Sequence, residues 1–172
     1  MLTDSQEKIL KRLAIAFTGQ SNSGKTTLIK KIAQILINDG NKVCIIKHDP
    51  KDKAIFDVEG KDSFEFYQTG ADVAVVSPNR TTMFKQKTSA IEEMVELFGN
   101  FDYLLVEGLK WLPLPRICVA RDELNKDYFE YSDILAINNT IDKNTIPKDM
   151  IYFDLDDPKQ IINWININAK RV

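Results

Sequence analysis

The stretch that decides the fold is GQSNSGKTT, from Gly19 to Thr27. Its first eight residues match the pattern G-x-x-x-x-G-K-[ST], in which glycines let the backbone wrap closely around phosphate groups. A short apolar segment, Leu13 to Gly19, precedes it, and a segment with helical spacing, Thr26 to Asn38, follows it. Backbone N–H groups at such a junction between a strand and a helix create an anion site. The sequence therefore predicts a phosphate-binding loop between a first strand and a first helix.

Each residue type in this loop has a predicted part in holding a nucleotide. Lys25 is expected to reach the β and γ phosphate oxygens, and Thr26 is expected to offer its hydroxyl to Mg²⁺. A glycine-rich turn with an ordinary capping threonine is the alternative, but the strand and helix signals on both sides favour the phosphate loop. The candidate nucleotide-binding residues of the loop are Gly19, Gln20, Ser21, Asn22, Ser23, Gly24, Lys25, Thr26 and Thr27.

Apolar segments of strand length alternate with helical patterns along the rest of the chain. Further strands are predicted at Lys42–Lys47, Asp72–Ser77, Thr81–Lys85, Asp102–Gly108, Arg116–Ala120, Asp133–Asn138 and Met150–Leu155. Two more helices are predicted, one opened by Ser89 and Glu92 in capping-box spacing and one opened by Asp157 and Pro158. Strands that are apolar throughout and separated by helices form mostly parallel sheets covered on both faces.

The predicted fold class is therefore α/β. We expect a P-loop NTPase fold with a mostly parallel sheet, helices on both faces and room for a small antiparallel extension, where Thr81–Lys85 pairs with Asp72–Ser77. A chain of 172 residues is expected to form a single nucleotide-binding domain over residues 1–172.

Composition and charge exclude some partners. The 23 basic and 25 acidic residues nearly balance, so we expect no nucleic acid partner. The opening MLTDSQEKILKR lacks an apolar leader core, and no later segment reaches the roughly eighteen apolar residues of a membrane span, so a cytoplasmic protein without a membrane partner is expected. Cys44 and Cys118 lie in apolar strand segments outside any C-x-x-C pair, which predicts reduced, buried thiols.

Two acidic residues follow predicted strands at the sheet edge where open α/β sheets bind ligands. Asp49 comes after VCIIKH and Glu107 comes after DYLLV. Mg²⁺ takes oxygen ligands, so Thr26, Asp49 and Glu107 are the candidate metal ligands, and Asp49 and Glu107 are also the candidate catalytic residues. Either acid also fits a solvated strand end. Asp102 begins its strand and is therefore placed outside the site.

The segment that would read the base is less specific. No N-K-x-D pattern follows a strand, but NTID, from Asn139 to Asp142, follows DILAI with threonine in place of lysine. An aspartate there has the oxygens to accept both guanine N–H groups. A plain asparagine-rich turn explains the same letters, so both interpretations stay open.

Three further blocks accompany the loop: IKHD from Ile46, GKDSFEFYQTGA from Gly60 and LLVEGLKWLPLPRICVAR from Leu104. Together with Gly19–Thr27 they resemble the molybdopterin-guanine dinucleotide biosynthesis protein B family, the GTP-binding adapter of molybdenum cofactor maturation. The resemblance is weakest before Leu13 and after Asn125.

This resemblance implies a homodimer that binds GTP with Mg²⁺ and hydrolyses it slowly. It also implies service to a partner nucleotidyltransferase that attaches GMP to molybdopterin, with molybdopterin itself as a candidate bound cargo. By block position, the family's residues outside the loop carry over to Lys47, His48, Asp49, Lys61, Asp62, Glu107, Gly108, Lys110 and Arg116. Among them Lys47, Lys61, Lys110 and Arg116 are the candidate cofactor-binding cations.

Several placements stay open at the level of sequence. Lys61, Lys110, Arg116 and Arg121 form an anion-facing set if their loops converge, and are scattered solvated cations otherwise. His48, the one histidine, fits either a group that steers phosphate or water, or a simple hydrogen-bonded residue. The apolar loop that begins at Trp111 fits either core or a surface for a second subunit or the transferase.

Two other functions use the same loop. A small-molecule kinase would need mobile cations around the transferred phosphate, and no arginine-rich lid is apparent. A metallochaperone GTPase would need soft or imidazole ligands, and the chain has one histidine and two separated cysteines. The adapter is therefore the preferred interpretation.

Overall fold

The computed structural model describes residues 10–172, which divide into two compact units. The first unit comprises the described residues up to His48 together with Asn100–Val172, and the second comprises Asp49–Gly99. Most of the polar opening segment, residues 1–9, lies outside the described residues. The single domain stays a prediction.

Strands and α-helices alternate along the described chain. The strands are β1 Leu13–Thr18, β2 Val43–Lys47, β3 Val73–Ser77, β4 Arg80–Phe84, β5 Tyr103–Glu107, β6 Arg116–Ala120, β7 Ile134–Ile137, β8 Ile151–Asp154 and β9 Lys170–Arg171. The α-helices are α1 Lys25–Asn38, α2 Asp62–Gln68, α3 Ile91–Phe98 and α4 Pro158–Asn168. All four of these α-helices belong to the described residues 10–172. None of them is both long and apolar enough to cross a membrane.

The first unit is built on one sheet with the order β2-β5-β1-β6-β7-β8. These strands run parallel, and the short β9 pairs with β1 in the antiparallel sense. The predicted α/β class and the mostly parallel sheet are confirmed. Because β1 lies between β5 and β6, the carboxyl ends of these three strands meet at one edge, directly below the loop that leaves β1.

Helices α1 and α4 pack together against one face of this sheet. Ile15 and Phe17 of β1 are fully buried there against apolar side chains of the two helices, among them Leu28, Ile32 and Ile161. Burial of each large aliphatic side chain contributes about 1.5–3 kcal/mol to stability. This packing fixes the position of the first turn of α1.

The opposite face is covered at the β6–β7 end by 3₁₀ segments, at Lys126–Tyr131 and Lys143–Thr145. Cys118 is buried in this second cluster, with Tyr128 and Phe129 packed at its border. Burial raises the pKa of the Cys118 thiol to about 11. Cys118 and Cys44 are both free and buried, which confirms the prediction of reduced thiols.

The second unit contains a two-stranded antiparallel sheet with α2 and α3. Strands β3 and β4 pair with Val73 opposite Phe84 and Ser77 opposite Arg80, which confirms the predicted antiparallel pair. Helix α2 was not predicted from the sequence. At seven residues with no buried side chain, it offers too little periodicity to detect.

The predicted capping box at the start of α3 is wrong by one position. The N-cap is Ala90, and its side chain makes no capping bond. The ammonium of Lys85 instead donates to the hydroxyl of Ser89 at 2.8 Å and to the carboxylate of Glu93 at 3.1 Å. These contacts lower the pKa of Glu93, first through Lys85 and then through Ser89. The hydroxyl of Ser89 therefore belongs to a side-chain cluster with Lys85 and Glu93, and it does not cap the backbone of α3.

Candidate functional site

The loop between β1 and α1 depends on its two glycines. Gly19 has φ +135°, and a Cβ added there would lie 2.3 Å from the carbonyl oxygen of Val119 on β6. Gly24 has φ +94°, and a Cβ there would lie 3.1 Å from the guanidinium of Arg121. Both positions therefore need a residue without a side chain. The spacing of glycines in the sequence reflects these two close approaches.

The ammonium of Lys25 lies over the loop. It donates to the carbonyl of Gly19 at 3.0 Å and to the carbonyl of Gln20 at 2.5 Å. Partial burial lowers the pKa of Lys25, and the nearby carboxylate of Glu107 opposes this shift. A cation that is partly stripped of water and hydrogen-bonded to neutral carbonyls attracts an anion strongly.

Thr26 and Glu107 approach each other from α1 and β5. The hydroxyl of Thr26 donates to the Oε2 atom of Glu107 across 3.3 Å. Parallel pairing places Phe17 of β1 beside Glu107, so the carboxylate lies directly under the loop. These two oxygen donors, with room for water, suit Mg²⁺ better than a softer metal.

An open cavity of about 570 Å³ covers these groups. Its lining brings together several of the residues named from the sequence. The residues lining it are Ser21, Asn22, Gly24, Lys25, Thr26, Thr27, Lys47, Glu107 and Arg121. Cationic side chains thus surround one carboxylate, an arrangement suited to a polyanion with a bound divalent cation.

A second cavity, of about 230 Å³, adjoins the loop on the β6 side. The loop residues Gly19 to Ser23 form one wall, and residues 118–123 with Asn125 form the other. Ser21, Asn22 and Arg121 line both cavities. The two cavities therefore adjoin each other along the loop. Sequence reasoning missed this second wall, although its position directly after a buried strand was a usable signal.

Asp49 accepts hydrogen bonds from the turn that follows it. Its carboxylate accepts from the backbone N–H groups of Lys53 and Ala54, each at 2.7 Å, and of Lys51 at 3.3 Å. The described cavity lining does not include Asp49. The carboxylate organises the turn that follows β2, so its part as a metal ligand stays a prediction.

Arg116 is buried, with 1% of its surface exposed. Its guanidinium donates to four backbone carbonyls, those of Gly108, Leu109, Lys110 and Leu112, at 2.9–3.3 Å. These bonds hold the loop after β5. The expectation that Arg116 faces an anion finds no support in this geometry, because the guanidinium donates its hydrogen bonds to backbone carbonyls.

The other predicted cations are distributed differently. The Lys110 ammonium lies 4.1 Å from the ring centroid of Tyr128 and 5.3 Å from that of Tyr131. Lys61 precedes α2 in the second unit as its N-cap residue. Only Lys47 and Arg121 of the predicted cations outside the loop line the 570 Å³ cavity that the structure describes. Arg121 comes directly after the last residue of β6, and Glu107 is the last residue of β5. Because both strands run parallel to β1, the two side chains lie at the same edge of the sheet.

His48 and Trp111 form an aromatic pair beside Glu107. Their rings lie edge to face with centroids 5.3 Å apart, and the backbone N–H of His48 donates to the carbonyl of Glu107 at 3.0 Å. A Cβ on Gly108 would lie 3.0 Å from the Cβ of His48. Trp111 remains 70% exposed, so the apolar loop is at the surface rather than in the core.

The NTID segment folds as a turn. The carboxylate of Asp142 accepts from the backbone and side-chain N–H groups of Asn144, both at 2.9 Å. The hydroxyl of Thr140 donates to the side chain of Asn138 at 2.6 Å. This geometry favours the interpretation of an asparagine-rich turn.

The fold and the loop define the class of protein. A mostly parallel sheet, a glycine-rich loop that opens α1, and an adjacent strand that ends in an acid are the features of a P-loop NTPase fold. The solved structure of Bacillus subtilis MobB shares this fold, with a TM-score of 0.71 at 24% identity, over 92% of this chain and 98% of that chain.

Residues 14–140 match the family model described as molybdopterin guanine dinucleotide synthesis protein B. The chain belongs to this family. It is 32% identical over 129 residues to the molybdopterin-guanine dinucleotide biosynthesis adapter protein of Haemophilus influenzae, covering 72% of each chain. It is 33% identical over 115 residues to the Escherichia coli protein of the same name, covering 63% of this chain and 65% of that one.

Proposed function

We propose that this protein is an adapter in molybdopterin-guanine dinucleotide biosynthesis, and that it binds GTP with Mg²⁺ in the cavity over the loop. Family membership supports the pathway. The main structural support for the nucleotide site is that Lys25, Thr26 and Glu107 all line one cavity. Lys25 and Lys47 would hold phosphate oxygens there, and Thr26 and Glu107 would hold the metal.

Bound Mg²⁺ would neutralise phosphate charge and polarise the phosphoryl group. Glu107 carries the one carboxylate in the described lining of the 570 Å³ cavity. If Glu107 orients the metal, no second carboxylate in that lining positions the attacking water. We therefore propose slow GTP hydrolysis by the isolated protein, which makes it at most a weak GTPase.

The proposed partners are a molybdopterin nucleotidyltransferase, its pterin substrate and a second copy of the chain. Trp111 offers an exposed aromatic side chain on a loop whose backbone is fixed by Arg116. Val76 of β3 is 76% exposed, which leaves apolar surface on the two-stranded sheet. Rigid exposed aromatic and aliphatic groups are favoured at protein interfaces.

The proposal is tested by calorimetry and thermal shift with GTP and ATP in the presence of Mg²⁺. A ligand that binds only the folded state raises the melting temperature by mass action. Lys25→Ala should abolish GTP binding and keep the fold, whereas Lys30→Ala, on the exposed side of the same helix, should bind as wild type does. Unchanged affinity in Lys25→Ala would refute the site.

Activity measurements separate the adapter from the alternative functions. Addition of the protein to a nucleotidyltransferase reaction should increase the yield of guanylated molybdopterin, while phosphate release from GTP alone stays slow. Preference for ATP with phosphorylation of a small acceptor would favour a kinase. Stoichiometric binding of a soft metal ion would favour a metallochaperone.

A further inference from the structure

We infer that the carboxylates of Asp122 and Glu123 read the guanine base in the cavity on the β6 side of the loop. This inference rests on the proposed GTP binding and identifies the groups that select its base. Both residues come just after β6, separated from its last residue by Arg121, and line the 230 Å³ cavity opposite the phosphate loop. They are exposed, so their oxygens are accessible to a ligand.

The adjacency of the two cavities supports this placement. Ser21, Asn22 and Arg121 line both, so a nucleotide with its phosphates over Lys25 has a neighbouring cavity for its nucleoside. Arg121 precedes the two acids and lies beside Gly24. The chain therefore places a cation next to the phosphate loop and two carboxylates immediately beyond it.

An unpaired polar atom in the same cavity wall points to a ligand as well. Ser23 is 7% exposed, and its hydroxyl oxygen has no hydrogen-bond partner among residues 10–172. Buried polar atoms in folded proteins are normally hydrogen-bonded, and an exception calls for a missing partner. The wall of this cavity therefore contains a buried hydroxyl for which the described residues supply no partner.

The alternative base-reading segment uses its polar side chains in a local turn, and the hydroxyl of Thr140 lies 2.9 Å from the carbonyl oxygen of Arg121. Asp142 uses its carboxylate to accept from Asn144 at the start of a 3₁₀ turn, and Asn138 accepts from Thr140. Asp142 does not line either cavity beside the phosphate loop in the part of the chain that the structure describes. The residues after β6, rather than those after β7, are therefore in position to contact a base.

Hydrogen-bond polarity explains why acids would select guanine. A carboxylate only accepts, and guanine presents two donor groups side by side, at N1 and at the 2-amino group. Adenine presents an acceptor at N1, which a carboxylate repels. Xanthine replaces the 2-amino donor with a carbonyl, and a carboxamide matches that pattern because its N–H donates while its oxygen accepts.

The experiment compares GTP, ATP and xanthosine triphosphate binding by calorimetry on the full chain with Mg²⁺. In Asp122→Asn/Glu123→Gln, GTP affinity should fall by about tenfold or more, and xanthosine triphosphate should become the better ligand. The single variants show which carboxylate dominates. Asp142→Asn is the matched control and should keep the wild-type preference.

Inorganic triphosphate shows whether the loop is intact, since it has no base and should bind the double variant as tightly as wild type. If the double variant keeps wild-type GTP selectivity, or if Asp142→Asn shifts the preference instead, the inference is overturned while the proposed function stands. If the wild-type chain binds no guanine nucleotide, both are overturned.

Discussion

The hydroxyl of Thr26 and the carboxylate of Glu107 lie 3.3 Å apart although 81 positions separate them in the chain. Thr26 belongs to the first turn of α1, and Glu107 is the last residue of β5. Their contact joins the phosphate loop to the neighbouring strand and forms the proposed Mg²⁺ site.

Glu107→Gln should reduce the Mg²⁺-dependent part of GTP affinity by about 10–100-fold, because a carboxamide lacks the charge that holds the metal in position. Titration of GTP with and without Mg²⁺ measures the effect. Asp156→Asn, which removes an exposed carboxylate paired with Lys31, is the control and should change nothing. An equal Mg²⁺ response in Glu107→Gln and wild type would remove Glu107 from the metal site.

Gly19→Ala should destabilise the fold by about 3 kcal/mol or more, because the new Cβ meets the carbonyl of Val119 at 2.3 Å and the backbone has positive φ. Gly40→Ala is the matched control. Gly40 also has positive φ, but no heavy atom lies within 4 Å of the added Cβ, so a cost of about 1 kcal/mol is expected. Urea denaturation measures both, and equal losses would contradict the close approach.

Arg116→Met should cost about 3 kcal/mol of stability, because it leaves buried carbonyls of the loop after β5 without donors. Arg121→Met, which removes an exposed guanidinium five positions later, should leave stability nearly unchanged and weaken nucleotide binding instead. Denaturation and GTP titration of both variants separate the two roles. The opposite pattern would show that Arg116 contacts the ligand.

Nucleotide affinity should fall with rising pH, and the fall should begin below pH 10.5, the ordinary pKa of a lysine side chain. Burial lowers the pKa of Lys25 in the empty site, so its ammonium loses its proton earlier than an exposed lysine does, and the neutral amine binds phosphate poorly. Above that pKa, affinity should decrease by up to about tenfold for each pH unit.

Calorimetry in two buffers of different ionisation enthalpy checks this dependence, because binding at alkaline pH should take up a proton. The melting temperature of the empty protein over the same pH range is the control for loss of the fold. Lys25→Met should bind weakly and show no such pH dependence. Constant wild-type affinity up to pH 10.5 would contradict the prediction.

Much of the fold could be predicted from local patterns. The strands from Leu13, Arg116 and Asp133 have uninterrupted apolar runs, and the observed boundaries differ by at most a residue or so at each end. Helix α4 was predicted from Asp157 and Pro158, and the side chain of Asp157 does cap it by accepting from Gln160. The short β9 was missed because two exposed charged residues carry no strand signal.

The sequence by itself determined the phosphate loop, the strand that precedes it and the acid that ends β5, because glycine spacing and apolar runs are local properties of the chain. Only the tertiary structure decided which charged side chains reach the cavity. Arg116 and Arg121 stand at the two ends of the same short segment, yet one is enclosed by backbone carbonyls and the other lines the cavity. The path of the loop after β5 creates this difference, and its first residue, Gly108, is held by a hydrogen bond from its backbone N–H to the carbonyl of Phe17, which is far away in the sequence.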